Sequence, residues 1–507
     1  MINNDTSCDE RVHLNENDII TNETANGGVG VRRPWPKTKS DTLLQDAQAE
    51  DEKPSKSVCN RIQGAIFPII VLGIILGLVV MLFIINSSEN DTVVVSYTCD
   101  TGCSISLVES VPEGLVYPDG APSHNSTYSA WADLITSANE SLLISSMYWT
   151  LRNKETNSSE PSAEQGEKIF KLLEKALNRG VKISIVEDMN FAIPIETGEL
   201  RKKGALVKRL NFTALLGSGV LHTKFIISDM SAFYLGSANM DWRSLTQIKE
   251  MGVHVSQCRC PIVDDLYKIF QIYWLIGNNN TLPDSWPKEL DTHYNISHPL
   301  AIRLAGDEMA NISLSSSPPD LCTNSRTVDL EAITSIMEDA TKFIDIAVMD
   351  YYPTTLYLKP DDRNIYWPEI DDTLKRISFE KKVRVRLLAS LWNHTSPLMI
   401  GYLKSLQDFG HGIDVKVFVV PTFQNETGVP FARVNHNKYM VTDRVAYIGT
   451  SNWSGDYFIT TAGVGMIFNQ SNADMSAITI RKQLADVFDR DWQSQYSYDI
   501  NKELPFL

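Results

Sequence analysis

The sequence predicts an α/β protein of two pseudo-symmetric halves, each a mixed β-sheet flanked by helices, with one active site where the halves meet. Three observations carry this: alternating helical and strand periodicities, their recurrence about 200 residues later, and a duplicated set of His, Lys and Asn residues closing each copy. With 507 residues, 43% of them hydrophobic, the chain is long and apolar enough to bury the core such a pair needs.

Residues 1–60 are polar with few aliphatic side chains, which predicts a disordered cytoplasmic tail. Leu43-Leu44 after Asp41, and Ile19-Ile20 after Glu16, are weak acidic dileucine patterns that would engage sorting adaptors. Gly64 to Ile85 is 22 residues without a charge, about 33 Å as a helix, and predicts a transmembrane signal-anchor over 61–86. Lys53, Lys56 and Arg61 precede it while Glu89 and Asp91 follow, so the tail is expected in the cytoplasm and the remainder in the lumen, after a stem at 87–103. A cleaved signal peptide fits less well, because sixty residues come first and no small-residue cleavage pattern follows. Asn-x-Ser/Thr triplets at Asn125, Asn139, Asn157, Asn211, Asn279, Asn295, Asn311, Asn393, Asn425 and Asn469 agree with a lumenal glycoprotein. The spacings of four cysteines suit two disulfides, Cys99–Cys260 and Cys103–Cys258, with a zinc site from the same four as the rival. Cys322 is left over.

The first half is expected over 104–290. Trp131 to Ala138 reads as a helix and Leu142 to Trp149 as a buried strand; Gly166 to Ala176 and Val181 to Val186 repeat the pair. The second half, 291–507, offers Leu330 to Met337 with Phe343 to Tyr351, then Trp367 to Ile377 with Val383 to Leu388. The join lies in the polar stretch Gly277 to His298. A net charge of −16, only partly from the 11 acidic and 7 basic residues of the tail, argues against a long electrostatic grip on duplex DNA. A nucleic acid substrate would be held locally, at an end.

Each half closes on the same set: His222-Thr-Lys224, Asp229 and Gly236-Ser-Ala-Asn239, then His436-Asn-Lys438, Asp443 and Gly449-Thr-Ser-Asn452. His and Lys two apart on an extended segment point to one face. Strand, turn and strand would then return the Asn beside them. A lone His-x-Lys is more often a strand edge with a solvated Lys, but two matched copies are not. Metal-free cleavage of a phosphodiester needs a nucleophile, an acid for the leaving oxygen and positive charge around the phosphoryl oxygens. Two imidazoles divide the first two tasks, while two lysines and two asparagines supply the charge and donors. No cofactor and no metal is called for.

These residues resemble the phospholipase D superfamily, whose signature is His-x-Lys-x4-Asp followed by Gly-Ser-x-Asn. Tyr234-Leu-Gly-Ser-Ala-Asn-Met-Asp-Trp-Arg-Ser, Ile448-Gly-Thr-Ser-Asn-Trp-Ser-Gly and Leu107-Val-Glu-Ser-Val-Pro-Glu-Gly-Leu are similar to its animal type II membrane branch, from about Cys99 onward. The resemblance implies that one of His222 and His436 becomes a phosphohistidine and the other protonates the leaving alcohol, and the near-symmetric motifs do not say which. It implies that Glu250, 11 residues after Asn239, orients a histidine. Gly463 stands at the matching place, so the second histidine is expected to lack that partner, with Asp456 a substitute or a solvated loop acid. Asp229, Ser237, Asp443, Thr450 and Ser451 are supporting residues. Trp242 and Tyr457 either line the site or, more commonly for aromatics, fill the core.

The resemblance further implies a metal-independent 5′-to-3′ exonuclease on single-stranded DNA and RNA with an acid optimum, limiting nucleic-acid sensing. It places the protein in endoplasmic reticulum, Golgi and late endosome or lysosome, as a homodimer. A phospholipid substrate, with phosphatidyl transfer making bis(monoacylglycero)phosphate, is the alternative; an inactive membrane scaffold is the third reading.

Overall fold

The computed structural model describes residues 99–191, 194–304, 309–358, 365–423, 429–473 and 478–505. The predicted tail with its dileucine patterns, the signal-anchor and most of the stem lie outside the described residues. The expectation of a single-pass type II membrane protein of endoplasmic reticulum, Golgi and late endosome or lysosome is corrected: no helix among the described residues is long and apolar enough to cross a membrane. The longest of them, Pro261–Ile276, has 16 residues, about 24 Å against a hydrocarbon core of about 30 Å.

The first half runs β1 (Cys99–Ser110), α1 (Thr127–Ser137), β2 (Ser141–Ser146), α2 (Glu164–Asn178), β3 (Lys182–Asp188), α3 (Ile195–Lys202), β4 (Leu206–Leu210), β5 (Phe225–Ser228), β6 (Ala232–Gly236), β7 (Glu250–Ser256) and α4 (Pro261–Ile276). Its sheet is ordered β4–β3–β2–β5–β6–β7–β1, parallel over the first three strands and antiparallel over the rest. The sequence produces these elements for local reasons. The Ser126 hydroxyl caps α1 by accepting from Ser129 N. Helix α2 buries Ile169, Phe170, Leu173 and Ala176, a stripe at helical spacing. Strand β2 buries Leu142 and Ile144 at alternate positions.

The second half repeats the plan with β8 (Leu300–Leu304), β9 (Met309–Ser317), α5 (Asp329–Asp339), β10 (Phe343–Val348), α6 (Glu369–Lys381), β11 (Arg384–Ser390), α7 (Pro397–Phe409), β12 (Ile413–Phe418), β13 (Lys438–Thr442), β14 (Val445–Gly449), β15 (Gly463–Asn469), α8 (Ile480–Gln493) and β16 (Ser497–Asp499). Its order, β16–β12–β11–β10–β13–β14–β15–β9–β8, copies the first with β9 in the role of β1. Strands β1 and β8 pair in parallel at Cys99 with Ile302 and Cys103 with Leu304, joining the two sheets. One core, from Val253 and Val255 to Val464 and Met466, spans both halves and takes in α4 and α8; two outer cores lie under α1–α3 and α5–α7.

A disulfide links Cys103 to Cys258, tying β1 to the end of β7. Cys260 is also disulfide-bonded, and the side chain of Cys99 lies outside the described residues. With Cys103 and Cys258 spent on each other, the four-cysteine zinc alternative falls away.

Each half contains the same close approach just before its Gly-x-x-Asn segment. Tyr234 lies over Gly236 and Gly252, where an added Cβ would come within 2.5 Å of the phenol; Tyr447 covers Gly449 and Gly465, within 2.3 Å. Gly236 pairs with Gly252 and Gly449 with Gly465 across adjacent strands. The glycine of each motif is therefore there to seat an aromatic ring under the site. Gly252→Ala or Gly465→Ala should cost about 1–3 kcal/mol by displacing that ring. Urea unfolding of each variant measures it, and unchanged midpoints would contradict the packing argument.

Candidate active site

Both histidines sit just before a strand, in extended single-bridge segments. The Leu221 amide donates to Asp188 Oδ2 at the end of β3 (2.6 Å), and the Asn435 amide to Ser390 Oγ at the end of β11 (3.1 Å). The outer side of each segment pairs with the opposite half. His222 N donates to Ala462 O (3.0 Å) and Ala462 N to Val220 O (2.9 Å); His436 N donates to Lys249 O (2.8 Å) and Lys249 N to Val434 O (2.9 Å). Those are the residues immediately before β15 and β7. Two crossings of this kind draw both histidines into one pocket, where each is under a tenth exposed.

Orientation of the rings differs between the copies. His222 Nδ1 lies 2.8 Å from the Thr450 carbonyl, an acceptor, so Nδ1 carries hydrogen and Nε2 has the free lone pair. The Tyr457 ring packs edge-on against it, centroids 4.9 Å apart. His436 Nδ1 lies 2.8 Å from Glu250 Oε2. Glu250 is itself fixed by the Ser237 hydroxyl (2.6 Å) and the Ser244 hydroxyl (2.9 Å). The expectation that the second histidine lacks a carboxylate is thus reversed. Because β7 follows the crossing with residues 434–436, Glu250 reaches the other half's histidine, and the one without a carboxylate is His222. Asp456 does not substitute; it accepts from the Leu356 and Tyr357 amides (both 2.7 Å) and the Ser454 hydroxyl.

Lys224 and Lys438 each donate to the carbonyl of their own histidine, at 2.6 and 2.8 Å, which holds the ammonium groups in the pocket with two N–H donors to spare. Asn239 Nδ2 donates to the Tyr148 hydroxyl (3.2 Å), and Asn452 Nδ2 to Asp350 Oδ2 (3.1 Å) and the Tyr457 hydroxyl (3.0 Å). Tyr148 and Asp350 occupy matching places after β2 and β10. Neither was singled out from sequence, where each reads as the end of a strand; superposing the two repeats would have exposed the mismatch.

Electrostatics follow from burying like charges together. Burial, then the charges of Lys224, Lys438 and His436, hold His222 well below the ordinary imidazole range. Burial also lowers His436, but Glu250 pulls it back up. Burial and Lys438 hold Lys224 low, and burial lowers Lys438 while Glu250 and Asp350 oppose it. Desolvation raises the Asp350 carboxyl to about 6. Glu250 and Asp350 act on His436 and Lys438, whereas Lys224 and Lys438 also act on His222, so the two imidazoles stand in unequal fields.

The remaining supporting residues serve the frame. Asp229 accepts from the amides of Asn139, Glu140 and Ser141, and Asp443 from those of Thr341 and Lys342, so each ties the motif's hairpin to the turn before a central strand. Thr450 Oγ1 accepts from Val464 N, and Ser451 is buried against Gly463. Trp242 is core: fully buried, its indole donates to Thr156 Oγ1.

The family model described as "PLD3/4, PLD-like domain" matches residues 118–424. A protein of Xenopus laevis named 5′-3′ exonuclease PLD3 is 45% identical over 427 residues, 82% of this chain and 85% of its own. Its Homo sapiens namesake is 44% identical over 411 residues, 80% and 82%. Phosphatidylserine synthase of Haemophilus influenzae, a solved structure, has a TM-score of 0.48 at 12% identity over 73% of this chain and 85% of that one. The chain belongs to the phospholipase D superfamily, in the family of PLD3/4-type domains.

Proposed function

We propose that this enzyme is a 5′-to-3′ exonuclease on single-stranded DNA and RNA that works through a phosphohistidine, without a metal. The observation that carries it is the pairing of a carboxylate-backed imidazole with an unbacked one in a single cationic pocket. The relatives' exonuclease names support the substrate class. The seven residues His222, Lys224, Asn239, Glu250, His436, Lys438 and Asn452 make up the machinery, one set from each half over about 104–290 and 291–507.

The difference between the histidines supports a division of roles. His222, lacking a carboxylate and surrounded by cations, is the more readily neutral, so its Nε2 lone pair attacks phosphorus. Glu250 favours the imidazolium of His436, which gives its Nε2 proton to the departing O5′ as the P–O bond breaks. The 3′-phosphoryl of the terminal nucleotide is then carried on His222. A water, losing its proton to His436, attacks phosphorus; the N–P bond breaks and a 3′-nucleotide leaves. Lys224, Lys438 and the two asparagines hold the non-bridging oxygens.

A 5′-labelled single strand should therefore yield labelled 3′-mononucleotide first, in the presence of EDTA. His222→Ala or His436→Ala should lower the rate by about 10²–10⁴-fold. Labelled oligomers as first product would refute the exonuclease reading, and cleavage of phosphatidylglycerol in place of the strand would assign the pocket to lipid.

The pH dependence has a defined sign. Activity rises as His222 loses its proton and falls as His436 loses its own, and both are held below the ordinary imidazole value. The profile of kcat/KM should be a bell on the acid side of about 6.5. Glu250→Gln removes the carboxylate that raises His436, so the alkaline limb should move to lower pH. A limb moving upward, or not at all, would contradict the assignment.

A further inference from the structure

A buried charge network stands behind His436, and no step of the reaction uses it. Lys249 is wholly buried, its Nζ 2.9 Å from Asp491 Oδ2 and 3.9 Å from Glu109 Oε2. Arg490 grips Glu109 with two bonds of 2.9 and 2.8 Å, and its Nε donates to Asp491 Oδ1 (3.0 Å). The Tyr117 hydroxyl donates to the same oxygen (2.6 Å). Two cations balance two carboxylates. Glu109 belongs to β1, Lys249 to the residue before β7, and Arg490 and Asp491 to α8, so the network fastens the first half to the last helix of the second.

Stability alone is a poor reason for it, since a packed apolar replacement of buried ions is often as stable or more so. Its place gives a better one. The main chain of Lys249 brackets His436 through two hydrogen bonds, and the next residue is Glu250, which holds His436 Nδ1. In the other half the bracketing residue is Ala462, followed by Gly463, with neither charge nor carboxylate. Of the two bracketing residues, the one with an ionic anchor is the one beside the imidazole that a carboxylate holds.

We propose that Lys249 is a positioning residue: pinned by Asp491 and Glu109, it fixes the main chain that sets the height of His436 and the reach of Glu250. This rests on His436 being the acid of the proposed reaction. The test compares Lys249→Met and the charge-balanced Lys249→Met/Asp491→Asn with a control, Arg326→Met. Arg326 binds Asp265 through bonds of 2.6 and 2.7 Å, another buried ion pair between the halves, but one that touches no motif residue.

Assayed as full chains on a single-stranded oligonucleotide and normalised to folded protein, both Lys249 variants should lose about ten- to a hundredfold in kcat with KM unchanged. Their alkaline pH limb should move to lower pH, because a displaced Glu250 no longer supports the imidazolium. The Arg326 variant should keep both kcat and limb. A charge-balanced variant with the control's kcat and pH profile would overturn the proposal. Failure of the function reading is told apart by the parent chain itself, which would then cleave no strand.

Discussion

Everything in the pocket depends on a reciprocal exchange of main-chain hydrogen bonds. The segment carrying His222 is bonded to the residue before β15, and the segment carrying His436 to the residue before β7. Each bond is worth only about 0.5–1.5 kcal/mol net. Their importance is geometric, because neither histidine is placed by its own half alone. The shared core beneath, running from β5–β7 to β13–β15, keeps the two crossings in register. A half by itself would hold one His, one Lys and one Asn, and its histidine segment would have an unpaired edge.

The duplication is kept in the frame and abandoned at the chemistry. Both halves share strand order, the Tyr over paired glycines, and the Asp that ties the hairpin to a turn. They differ where proton handling must differ. Glu250 faces a histidine; at the matching position stands Gly463, with the Ser451 and Ser317 hydroxyls in the space its side chain would take. Asn239 bonds a neutral phenol while Asn452 bonds a carboxylate. Two identical imidazoles in one pocket would compete for one proton. Unequal surroundings let one stay neutral while the other stays charged.

Much of this was legible in the sequence, for reasons that can be named. Periodicity marks α2 and β3 because local burial imposes it, and the paired motifs are legible because a hairpin keeps His, Lys and Asn at fixed spacing. Glu250 was visible as a residue, but its partner was not. Sequence spacing suggests a local contact, whereas the strand crossing delivers the carboxylate to a histidine 186 positions away. Lys249 reads as one more surface charge; only the fold brings Asp491 to it. Trp242 could not be told from a stacking platform until Gly166 and Thr156 were seen against it. Chemistry within one hairpin is readable, and so is the need for both copies, but the individual contacts across the interface are not.

The central claim is that histidines from different halves act on one phosphorus, with His222 bonded to it. An activated leaving group separates their tasks, since nitrophenolate departs without an acid. His436→Ala, mixed with the p-nitrophenyl ester of thymidine 3′-phosphate, should release nitrophenol in a burst of one equivalent and then stall, with the nucleotide mapped by mass spectrometry to His222. His222→Ala should give no burst. A nucleotide found on His436 of the His222→Ala chain, or a full burst without either histidine, would contradict the account.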